Sequence, residues 1–401
     1  MISEVSSILI LVTQLERAGA QKVAMRQARY FLSRGYQVTL CFLYDKYNLL
    51  AEMRRREPYQ VVILEAKVPG QSRLANGLRA VRALWRLYWL LRRERIQVIE
   101  TLTHYSNLLG IVIACLAGVP VRISSQRNTL LGFPTWFLRL DAWLVNSRLV
   151  DKMVAVSEQT RRFCVDVEEM VSQKVVVIPN GINLAEFDRA QWTATDLHSL
   201  RTSLKIPPGA RVVLTVARLH PQKGHSYLIQ AAPVILATCP DVIFLLAGDG
   251  EERETIEECI HNAGLSDHFR LLGVRHDVPQ LLALSDLFVL PSIYEGMPNV
   301  VLEAMAAMLP VVATNVDGTQ EVVVDGETGL LVLPADPETL GNAIVSLLED
   351  ETRRRGMGQR GYWRVQTQFS EQAMCRRYEE LIQTILKGKQ KFGTSYPHAG
   401  G

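Results

Sequence analysis

The chain has 401 residues, of which 48% are hydrophobic and 21% are charged. This length exceeds one ordinary core and fits two domains, and the composition excludes a disordered or fibrous protein. The net charge of +3 hides an asymmetry, because residues 1–180 carry a balance of +11 and the remaining residues a balance of −8. A basic first half predicts an anionic surface or partner for that half alone.

The cysteines and the apolar runs indicate the compartment. Neither the close spacing of a metal site nor that of a redox pair occurs among the six cysteines, Cys41, Cys115, Cys164, Cys239, Cys259 and Cys375. This pattern favours reduced thiols in a cytoplasm. The first residues, MISEVSSILILVTQLE, lack the basic lead and cleavage site of a signal peptide. The longest apolar run, LLGIVIACLAGV, is too short to span a bilayer. We therefore expect a cytoplasmic protein without a transmembrane segment.

Short apolar runs predict the strands of the first half. They are SSILILV, YQVTLCFL, QVVIL, IQVIETL, VRISS, MVAVS and KVVVIP. In the second half the corresponding runs are RVVLTVA, VIFLLAG, FRLLG, DLFVLP and PVVAT. Apolar strands that alternate with longer amphipathic segments predict parallel sheets covered by helices on both faces. Such doubly wound α/β sheets bind ligands at the carboxyl ends of their strands.

One segment of the first half, residues 73–93, predicts a basic amphipathic helix. No acidic residue lies between Glu65 and Glu94, whereas basic residues are frequent there: Lys67, Arg73, Arg79, Arg82, Arg86, Arg92 and Arg93. An apolar stripe recurs at helical spacing: Leu74, Leu78, Val81, Trp85 and Trp89. Unopposed arginines beside tryptophans predict association with an anionic membrane. The alternative is that this stripe packs on the sheet while the arginines stay solvated. No nucleic-acid recognition module is evident.

A pause in the strand pattern marks the domain boundary. Between Pro179 and Ala210 the runs PNGINLAEFD and KIPPGA supply turn residues. We therefore expect one domain over residues 1–180 and a second over residues 181–369. A last helix over residues 370–387 is expected to pack back toward the first domain. The polar tail, residues 388–401, is predicted to be disordered.

Two basic residues follow the first strand of the second half. The run VVLTVARLHPQKGHSYLIQA reads as a buried strand, a loop that holds Arg218 and Lys223, and a helix that begins near Gly224. Two fixed cations beside a helix N-terminus can neutralise a diphosphate without a metal ion. The alternative is a solvated loop with two ordinary basic residues. A third loop, LLAGDGEE, ends another strand, but its glycines do not form a dinucleotide-binding fingerprint.

Two glutamates lie in the run YEGMPNVVLEAMAAM, which follows a buried strand. Glu295 belongs to the loop, and Pro298 suits the first turn of the helix that begins there. Glu303 lies roughly one and a half turns further along that helix. The N–H groups at such a helix start favour an anion, and the two carboxylates suit the hydroxyls of a hexose and a ribose. The alternative is a glutamate stabilised by the helix dipole and a second one on the helix surface.

These segments together resemble the retaining glycosyltransferases of family 4. In the second half the resemblance rests on RLHPQKG, LLAGDGEE, LFVLPSIYEGMPNVVLEAMAAMLPVVAT and DGTQEVVVDGETGLLV. In the first half it rests on LERAGAQKVAMRQARYFLSRGYQVTL, NLLGIVIACLAGVPVRISSQRN, VAVSEQTRRF and VVVIPNGIN. The resemblance covers about residues 6 to 385. It implies the GT-B fold, in which two Rossmann-like domains face across a cleft, with the acceptor side in the first domain and the nucleotide-sugar in the second.

The resemblance also implies roles for single residues. Arg218 and Lys223 would hold the diphosphate of the nucleotide-sugar, Glu303 would bond the ribose, and Glu295 would contact the sugar hydroxyls near the reacting carbon. The loop against the donor would consist of Gly296, Met297, Pro298 and Asn299.

Two further roles fall in the first domain. Gly19 would approach the phosphate across the cleft. The family often has two adjacent glycines where this chain has Gly19 and Ala20, which departs from the pattern for close backbone approach. His104, at the end of the fourth strand, would lie near the reacting sugar. The alternative for His104 is a hydrogen-bonded histidine at a strand end.

The implied reaction is sugar transfer with retention of configuration and without a metal ion. The leaving nucleoside diphosphate would take the acceptor proton during front-face attack, so Glu295 would position the sugar rather than attack it. No D-x-D motif for a divalent ion is present. The donor would be UDP- or GDP-linked, with no other cofactor. The acceptor would be a lipid-linked sugar or a growing polysaccharide of the cell envelope or exopolysaccharide. The enzyme would be peripheral on the inner face of the membrane.

Two alternatives to a transferase remain open. A nucleotide-sugar epimerase shares the GT-B fold but usually needs further carboxylates and histidines. A non-catalytic nucleotide-sugar-binding partner would not need both glutamates together with Arg218 and Lys223. Donor hydrolysis separates the three, because a transferase slowly releases nucleoside diphosphate, an epimerase interconverts sugars and a binding partner does neither.

Overall fold

The computed structural model describes residues 7–16, 19–68, 70–127, 134–316 and 318–391. These residues form two compact units. One unit contains the chain up to Gly181 together with the residues from Glu371 onward. The other contains Ile182–Ser370.

The first unit is built on a seven-stranded parallel sheet with the strand order β3-β2-β1-β4-β5-β6-β7. Its strands are β1 Ser7–Leu15, β2 Gln37–Asp45, β3 Gln60–Ile63, β4 Val98–Thr101, β5 Val121–Gln126, β6 Lys152–Ala155 and β7 Val175–Val177. Its helices begin with α1 Gly19–Ser33, α2 Leu50–Arg56, α3 Arg73–Arg93, α4 His104–Leu116, α5 Thr135–Asn146 and α6 Glu158–Arg162. A short π-helical segment, Phe163–Val167, continues α6.

Strand β1 shows why these strands are almost entirely apolar. Ile8 and Ile10 point into one core, whereas Leu9 and Leu11 point into another on the opposite face of the sheet. Because successive side chains alternate between faces, a strand covered on both sides has no position left for a polar residue. The helices α3, α4 and α5 cover one face.

The second unit is built on a six-stranded parallel sheet with the order β10-β9-β8-β11-β12-β13. Its strands are β8 Arg211–Val216, β9 Val242–Ala247, β10 Phe269–Gly273, β11 Leu287–Leu290, β12 Val311–Thr314 and β13 Gly329–Val332. Its helices are α7 Ala194–Ser203, α8 His225–Thr238, α9 Arg253–Asn262, α10 Val278–Leu284, α11 Asn299–Ala306, α12 Thr319–Val322, α13 Pro337–Glu349 and α14 Glu351–Gln368. The predicted pair of doubly wound parallel-sheet domains is confirmed.

Two details go beyond the predicted elements. Strand β13 was missed, because its four residues directly follow the turn Asp325–Thr328 and offer only a short apolar run. The last helix, α15 Glu371–Lys391, returns the chain to the first unit, where its Tyr378 joins the core beside α1. The helix extends past residue 387, and residues 392–401 of the predicted tail lie outside the described residues.

Both sheets contain a topological switch point. The strand order reverses between β1 and β4 in the first sheet and between β8 and β11 in the second. Loops that leave two adjacent strands in opposite directions open a crevice at their carboxyl ends, where doubly wound folds bind ligands. The switch strands of the second sheet are followed by the loops that contain Arg218, Lys223 and Glu295.

Candidate functional site

At the second switch point, the loop after β8 and the loop after β11 are joined by their backbones. The Ile293 amide donates to the Gln222 carbonyl at 2.8 Å. The Gln222 side chain donates in return to the Tyr294 carbonyl at 2.9 Å. Because β8 and β11 are adjacent, this pair of bonds fixes the two loops against each other.

Gly224 permits this close approach. It lies between the short 3-10 helix Pro221–Lys223 and α8, with a φ of 65°. A Cβ atom at this position would lie 2.0 Å from the Pro291 carbonyl oxygen. Only glycine accommodates both the left-handed backbone and the neighbouring strand end.

Lys223 and Glu295 form an ion pair inside the crevice. The Lys223 Nζ lies 2.5 Å from Glu295 Oε1, and the two side chains are 16% and 8% exposed. The hydroxyl of Ser292 donates to the same carboxylate oxygen at 2.7 Å. Thr314 on β12 donates in turn to the Ser292 carbonyl. The carboxylate is therefore held by two side chains, and a lysine has further N–H groups for a second partner.

Arg218 is exposed at the start of the same loop. Within the described part of the chain, its guanidinium makes no hydrogen bond or ion pair. Its carbonyl oxygen lies 3.1 Å from His225 Nε2. Burial lowers the pKa of His225, so the ring is neutral, and Nε2 must carry the hydrogen because a carbonyl only accepts. His225 thus fixes the loop and leaves the Arg218 side chain available to a ligand.

The loop after β9 holds the backbone of Leu219, the residue that follows Arg218. The Leu219 amide donates to the Asp249 carbonyl at 3.1 Å, and the Glu252 amide donates to the Leu219 carbonyl at 3.1 Å. A Cβ at Gly248 would lie 1.8 Å from the Ala217 carbonyl oxygen. The glycines of LLAGDGEE therefore serve loop packing.

The residues between Glu295 and Glu303 form a buried turn into α11. Gly296, Met297 and Pro298 are buried, and Pro298 directly precedes the helix that begins at Asn299. Glu303 is 1% exposed in the interior of α11. The alternative of a helix-surface glutamate is therefore wrong for Glu303. Glu295 is buried as well, at 6% exposed.

The two predicted residues of the first unit lie at its own switch point. Gly19 is the first residue of α1, after β1, and is exposed. His104 is the first residue of α4, after β4. Its ring packs edge-on against the Phe137 ring of α5, with 6.4 Å between the two ring centroids. The structure thus places both at the carboxyl ends of adjacent strands.

Sequence reasoning missed three residues that shape the site, Gln222, His225 and Ser292. Ser292 follows the strand-ending Pro291 and lies three residues before Glu295, so its position offered a weak signal. Nothing in the sequence indicates that Gln222 and His225 bond to backbone carbonyls. The hydrogen-bond partners of Gln222 and His225 can be identified only from the three-dimensional arrangement of the loops.

The basic helix α3 presents an apolar face to solvent. Its buried residues are Ala83, Leu87 and Leu91. The predicted stripe lies on another face and is 51–78% exposed: Leu74, Leu78, Val81, Trp85 and Trp89. The alternative in which this stripe packs on the sheet is therefore wrong. The helix has enough apolar residues for two faces, and only one meets the sheet.

Neighbouring helices extend this apolar face. Helix α4 lies against both α3 and α5. On α4 the exposed apolar residues are Tyr105, Leu109, Val112 and Leu116, and on α5 they are Trp136, Leu140 and Trp143. We call the exposed apolar residues of α3, α4 and α5 the three-helix face. Large apolar side chains that stay exposed on neighbouring helices are typical of an interaction surface.

The arginines of α3 are less isolated than predicted. Arg86 pairs with Glu65 at 2.8 Å, and Arg93 lies 4.0 Å from Glu94. Glu65 and Glu94, which lie on either side of the acid-free segment, thus oppose the charge of these two arginines. This corrects the expectation of unopposed charge at these positions. Arg73, Arg82 and Arg92 have no acidic partner among the described residues.

Neither a membrane-spanning helix nor a cluster of metal ligands occurs among the described residues. None of the helices there is long and apolar enough to cross a membrane. Nor do three or more His, Cys, Asp or Glu side chains there come together as metal ligands.

Two family models match the chain. The model described as Glycosyltransferase Family 4 matches residues 17–186, and the model described as Glycosyl transferases group 1 matches residues 198–364.

Individual proteins are similar over most of the chain. The UDP-Gal:alpha-D-GlcNAc-diphosphoundecaprenol alpha-1,3-galactosyltransferase of Escherichia coli is 30% identical over 296 residues, which cover 71% of this chain and 74% of that protein. The capsular polysaccharide biosynthesis glycosyltransferase CapM of Staphylococcus aureus is 27% identical and covers 77% of this chain and 82% of its own length. Anabaena HepE in complex with UDP-glucose has the same fold, with a TM-score of 0.82 at 23% identity over 94% of this chain and 99% of that one.

Proposed function

Since the chain belongs to glycosyltransferase family 4, we propose that it is a retaining enzyme that transfers a sugar from a UDP- or GDP-sugar to a lipid-linked or polysaccharide acceptor. We assign the transfer to cell-envelope or exopolysaccharide synthesis. The relatives from Escherichia coli and Staphylococcus aureus support this assignment, because one is named for a diphosphoundecaprenol-linked acceptor and the other for capsular polysaccharide.

The ion pair between Lys223 and Glu295 carries the proposal. It brings a cation from one switch-point loop to a carboxylate from the other, in a buried crevice. A sugar linked to a diphosphate needs both kinds of group, one for the phosphate oxygens and one for the hydroxyls. We assign the diphosphate to Lys223 and Arg218, the sugar hydroxyls to Glu295 and the ribose to Glu303. The backbone of residues 296–299 lines the donor in this assignment.

The proposed reaction needs no protein nucleophile. The bond between the sugar carbon and the diphosphate oxygen breaks, and the acceptor oxygen bonds to the same face of that carbon. The acceptor proton passes to the departing phosphate oxygen. Arg218 and Lys223 stabilise the charge that develops on this oxygen, which is the main contribution that fixed cations make to such a step. We assign Gly19 to phosphate contact and His104 to the reacting sugar. No metal ion takes part in this scheme.

A donor screen tests the proposal. The full chain is incubated with UDP-, GDP- and ADP-sugars, with and without EDTA, and nucleoside diphosphate release is followed with analysis of the sugar product. We expect slow release from one UDP- or GDP-sugar, unchanged by EDTA, and, when an acceptor is added, a transfer product that keeps the anomeric configuration of the donor. Interconversion of sugars would identify an epimerase, and binding without either reaction would identify a non-catalytic partner. Loss of activity in EDTA would overturn metal independence alone.

We also propose that the three-helix face docks on the anionic inner face of the membrane. Exposed tryptophans on α3 and α5 suit the interface of a bilayer, and Arg73, Arg82 and Arg92 suit anionic headgroups. Phe137 links this face to His104, so a lipid-linked acceptor would reach the first switch point from the bilayer side.

Liposome flotation tests the docking. Binding to vesicles with anionic lipid is expected to fall with salt, and R82Q/R92Q is expected to weaken it and to reduce the salt dependence. W85A/W89A should weaken binding at every salt concentration. The matched control, R353Q/R355Q on α14, should bind as the wild type does. Equal binding of all four proteins would refute this face as the docking site.

A further inference from the structure

A cluster of lysine and tyrosine side chains lies at the carboxyl ends of β2 and β3, apart from the groups that the proposed reaction uses. Tyr44 is the penultimate residue of β2 and packs on the side of the sheet that α3, α4 and α5 cover. Its hydroxyl donates to the side-chain oxygen of Gln14, its register partner on β1. The ring of Tyr44 is therefore fixed, and the Lys67 Nζ lies 5.8 Å from the centroid of this ring.

Lys67 is placed by the residues on either side of it. The Ala66 amide donates to the Leu43 carbonyl of β2 at 2.7 Å. The Val68 amide donates to the side-chain oxygen of Asn76 on α3 at 3.0 Å, and the side-chain amide of Asn76 donates back to the Val68 carbonyl at 3.4 Å. The segment thus joins the end of β2 to the first turns of α3, and Lys67 is exposed between them.

A second lysine, Lys46, lies beside Tyr44. Its amide donates to the Leu15 carbonyl at 3.3 Å, so the pairing of β1 and β2 continues to this residue. Lys46 and Tyr44 are two positions apart along the strand and therefore lie on the same side of the sheet. The Lys46 Nζ lies 5.0 Å from the ring centroid of Tyr47, which is 59% exposed.

The loop that presents Lys46 and Tyr47 is held by Asp45. The Asp45 carboxylate accepts from the Tyr47 amide at 3.2 Å and from the Leu50 amide at 2.9 Å. The charge of Asp45 is therefore taken up by backbone N–H groups, and the loop keeps both side chains at the end of β2.

The nearby acids leave both lysines able to take a further anion. Lys46 lies 3.3 Å from Glu16, but the two side chains are 39% and 21% exposed, and an exposed pair of this kind contributes little. Glu65, two residues before Lys67, pairs with Arg86 instead. Lys67 has no acidic partner in the described part of the chain. Because an ammonium group carries three N–H groups, each lysine keeps donors for phosphate oxygens.

We propose that Lys46 and Lys67 bind the diphosphate of a lipid-linked acceptor at the carboxyl end of β2. This inference rests on the proposed lipid-linked acceptor and on the three-helix face as its docking surface. In such an acceptor the diphosphate joins the lipid, which stays in the bilayer, to the sugar, which must reach the first switch point. The segment 66–68 lies between these two places, because it is bonded to α3 on one side and to β2, the neighbour of β1, on the other.

Calorimetric titration with geranyl diphosphate, a short lipid diphosphate, tests the site. Every protein compared is the full chain with R218A/K223A, so that these two cations of the second unit cannot bind the diphosphate. K46Q/K67Q should weaken binding about tenfold and should no longer prefer geranyl diphosphate to geraniol, which has no phosphate. The matched control R55Q/R56Q removes two exposed cations of α2 and should not change the affinity. Unchanged affinity in K46Q/K67Q would overturn the proposal.

Single variants distinguish a phosphate site from general damage. K67Q should weaken binding more than K46Q, because Lys46 is already shared with Glu16. E16Q removes the acid that competes with the phosphate for Lys46, so it should strengthen binding about twofold. Damage to the fold cannot raise the affinity. Weaker binding in E16Q would overturn the assignment of Lys46 to the phosphate.

A phospholipid headgroup is the other source of the same chemistry. Flotation with vesicles of equal parts phosphatidylcholine and phosphatidylglycerol separates the two, and K46Q/K67Q should bind these vesicles as the wild type does. Loss of vesicle binding in this variant would assign the lysines to headgroups and overturn the proposal. The titration uses neither donor nor vesicles, so the proposed transfer is judged separately, by nucleoside diphosphate release, and can fail while this site stands.

Discussion

The two sheets share one topological feature and fill it with different chemistry. At the switch point of the second sheet, a buried ion pair joins loops from β8 and β11. At the switch point of the first sheet, neutral hydroxyls connect β1 to α4: the Thr13 hydroxyl lies 2.6 Å from that of Thr103, which lies 2.9 Å from that of Ser106. The first arrangement combines a cation and a carboxylate, whereas the second consists of hydroxyls alone. The contrast teaches that one topological feature can be lined by a charged pair in one sheet and by neutral hydroxyls in the other.

The largest expected effect concerns the backbone that holds the charged crevice together. Gly224→Ala places a Cβ 2.0 Å from the Pro291 carbonyl in a left-handed conformation. We expect a loss of about 3 kcal/mol in the free energy of unfolding, measured by urea denaturation. Gly209→Ala is the matched control, because its φ is also positive but no atom lies within 4 Å of the new Cβ. Its loss should be about 1 kcal/mol. Equal losses would mean that the loop contact is unimportant.

The next largest effect concerns Glu295 and separates orientation of the sugar from binding of the nucleoside diphosphate at the same switch point. Glu295→Gln keeps the shape but removes the charge that pairs with Lys223. We expect turnover to fall by about a hundredfold, since the sugar is no longer oriented. The affinity for nucleoside diphosphate should not fall, because Lys223 is released toward the phosphate. Steady-state kinetics and calorimetry give the two quantities, and full activity would refute the role of Glu295.

At the switch point of the first sheet we expect a smaller effect, which is confined to sugar transfer. His104→Ala removes one polar contact and should lower the rate of transfer to acceptor by about tenfold, the scale of one hydrogen bond. Nucleoside diphosphate affinity should stay constant, since His104 is assigned to the sugar and not to the phosphate. A fall in affinity equal to the fall in rate would contradict this division of roles.

The smallest expected effect concerns Thr103, the residue before His104, and the hydrogen bonds that hold the start of α4. Thr103 caps α4, accepts from the Thr13 amide at 3.0 Å and shares a capping box with Ser106. Thr103→Val removes these bonds and should reduce the free energy of unfolding by about 1 kcal/mol. Transfer should slow a few-fold, and donor hydrolysis should not change. Unaltered stability and rate would show that the hydroxyl chain is not needed to hold α4.

The sequence predicted the strands and the charged loops because both have strong local signals. Continuous apolar runs such as SILILVTQL reveal strands buried on two faces, and the residues after such a run must lie at the sheet edge. Strand β13 was missed because its apolar run is short. For α3, periodicity indicated a helix but could not decide which of two apolar faces meets the sheet. The ion pair between Arg86 and Glu65 depends on how the chain turns between these residues, and sequence spacing does not predict that turn.

Long-range polar contacts were equally difficult to predict from the sequence. The bond from His225 to the Arg218 carbonyl and the burial of Asp141 in α5 depend on which segments meet in space. In the sequence, Asp141 resembles any polar residue of an amphipathic helix. Its burial became apparent only from the packing of α5.

Calorimetric titration with UDP and GDP tests the central claim, that cations at the second switch point hold the nucleotide-sugar diphosphate. The proteins compared are the wild type, Arg218→Ala, Lys223→Ala and the control Arg355→Ala, which removes an exposed arginine of α14 paired with Glu351. The account predicts that the first two variants each lose about 1.5–3 kcal/mol of binding free energy and that the control loses none. Wild-type affinity in both Arg218→Ala and Lys223→Ala would contradict it.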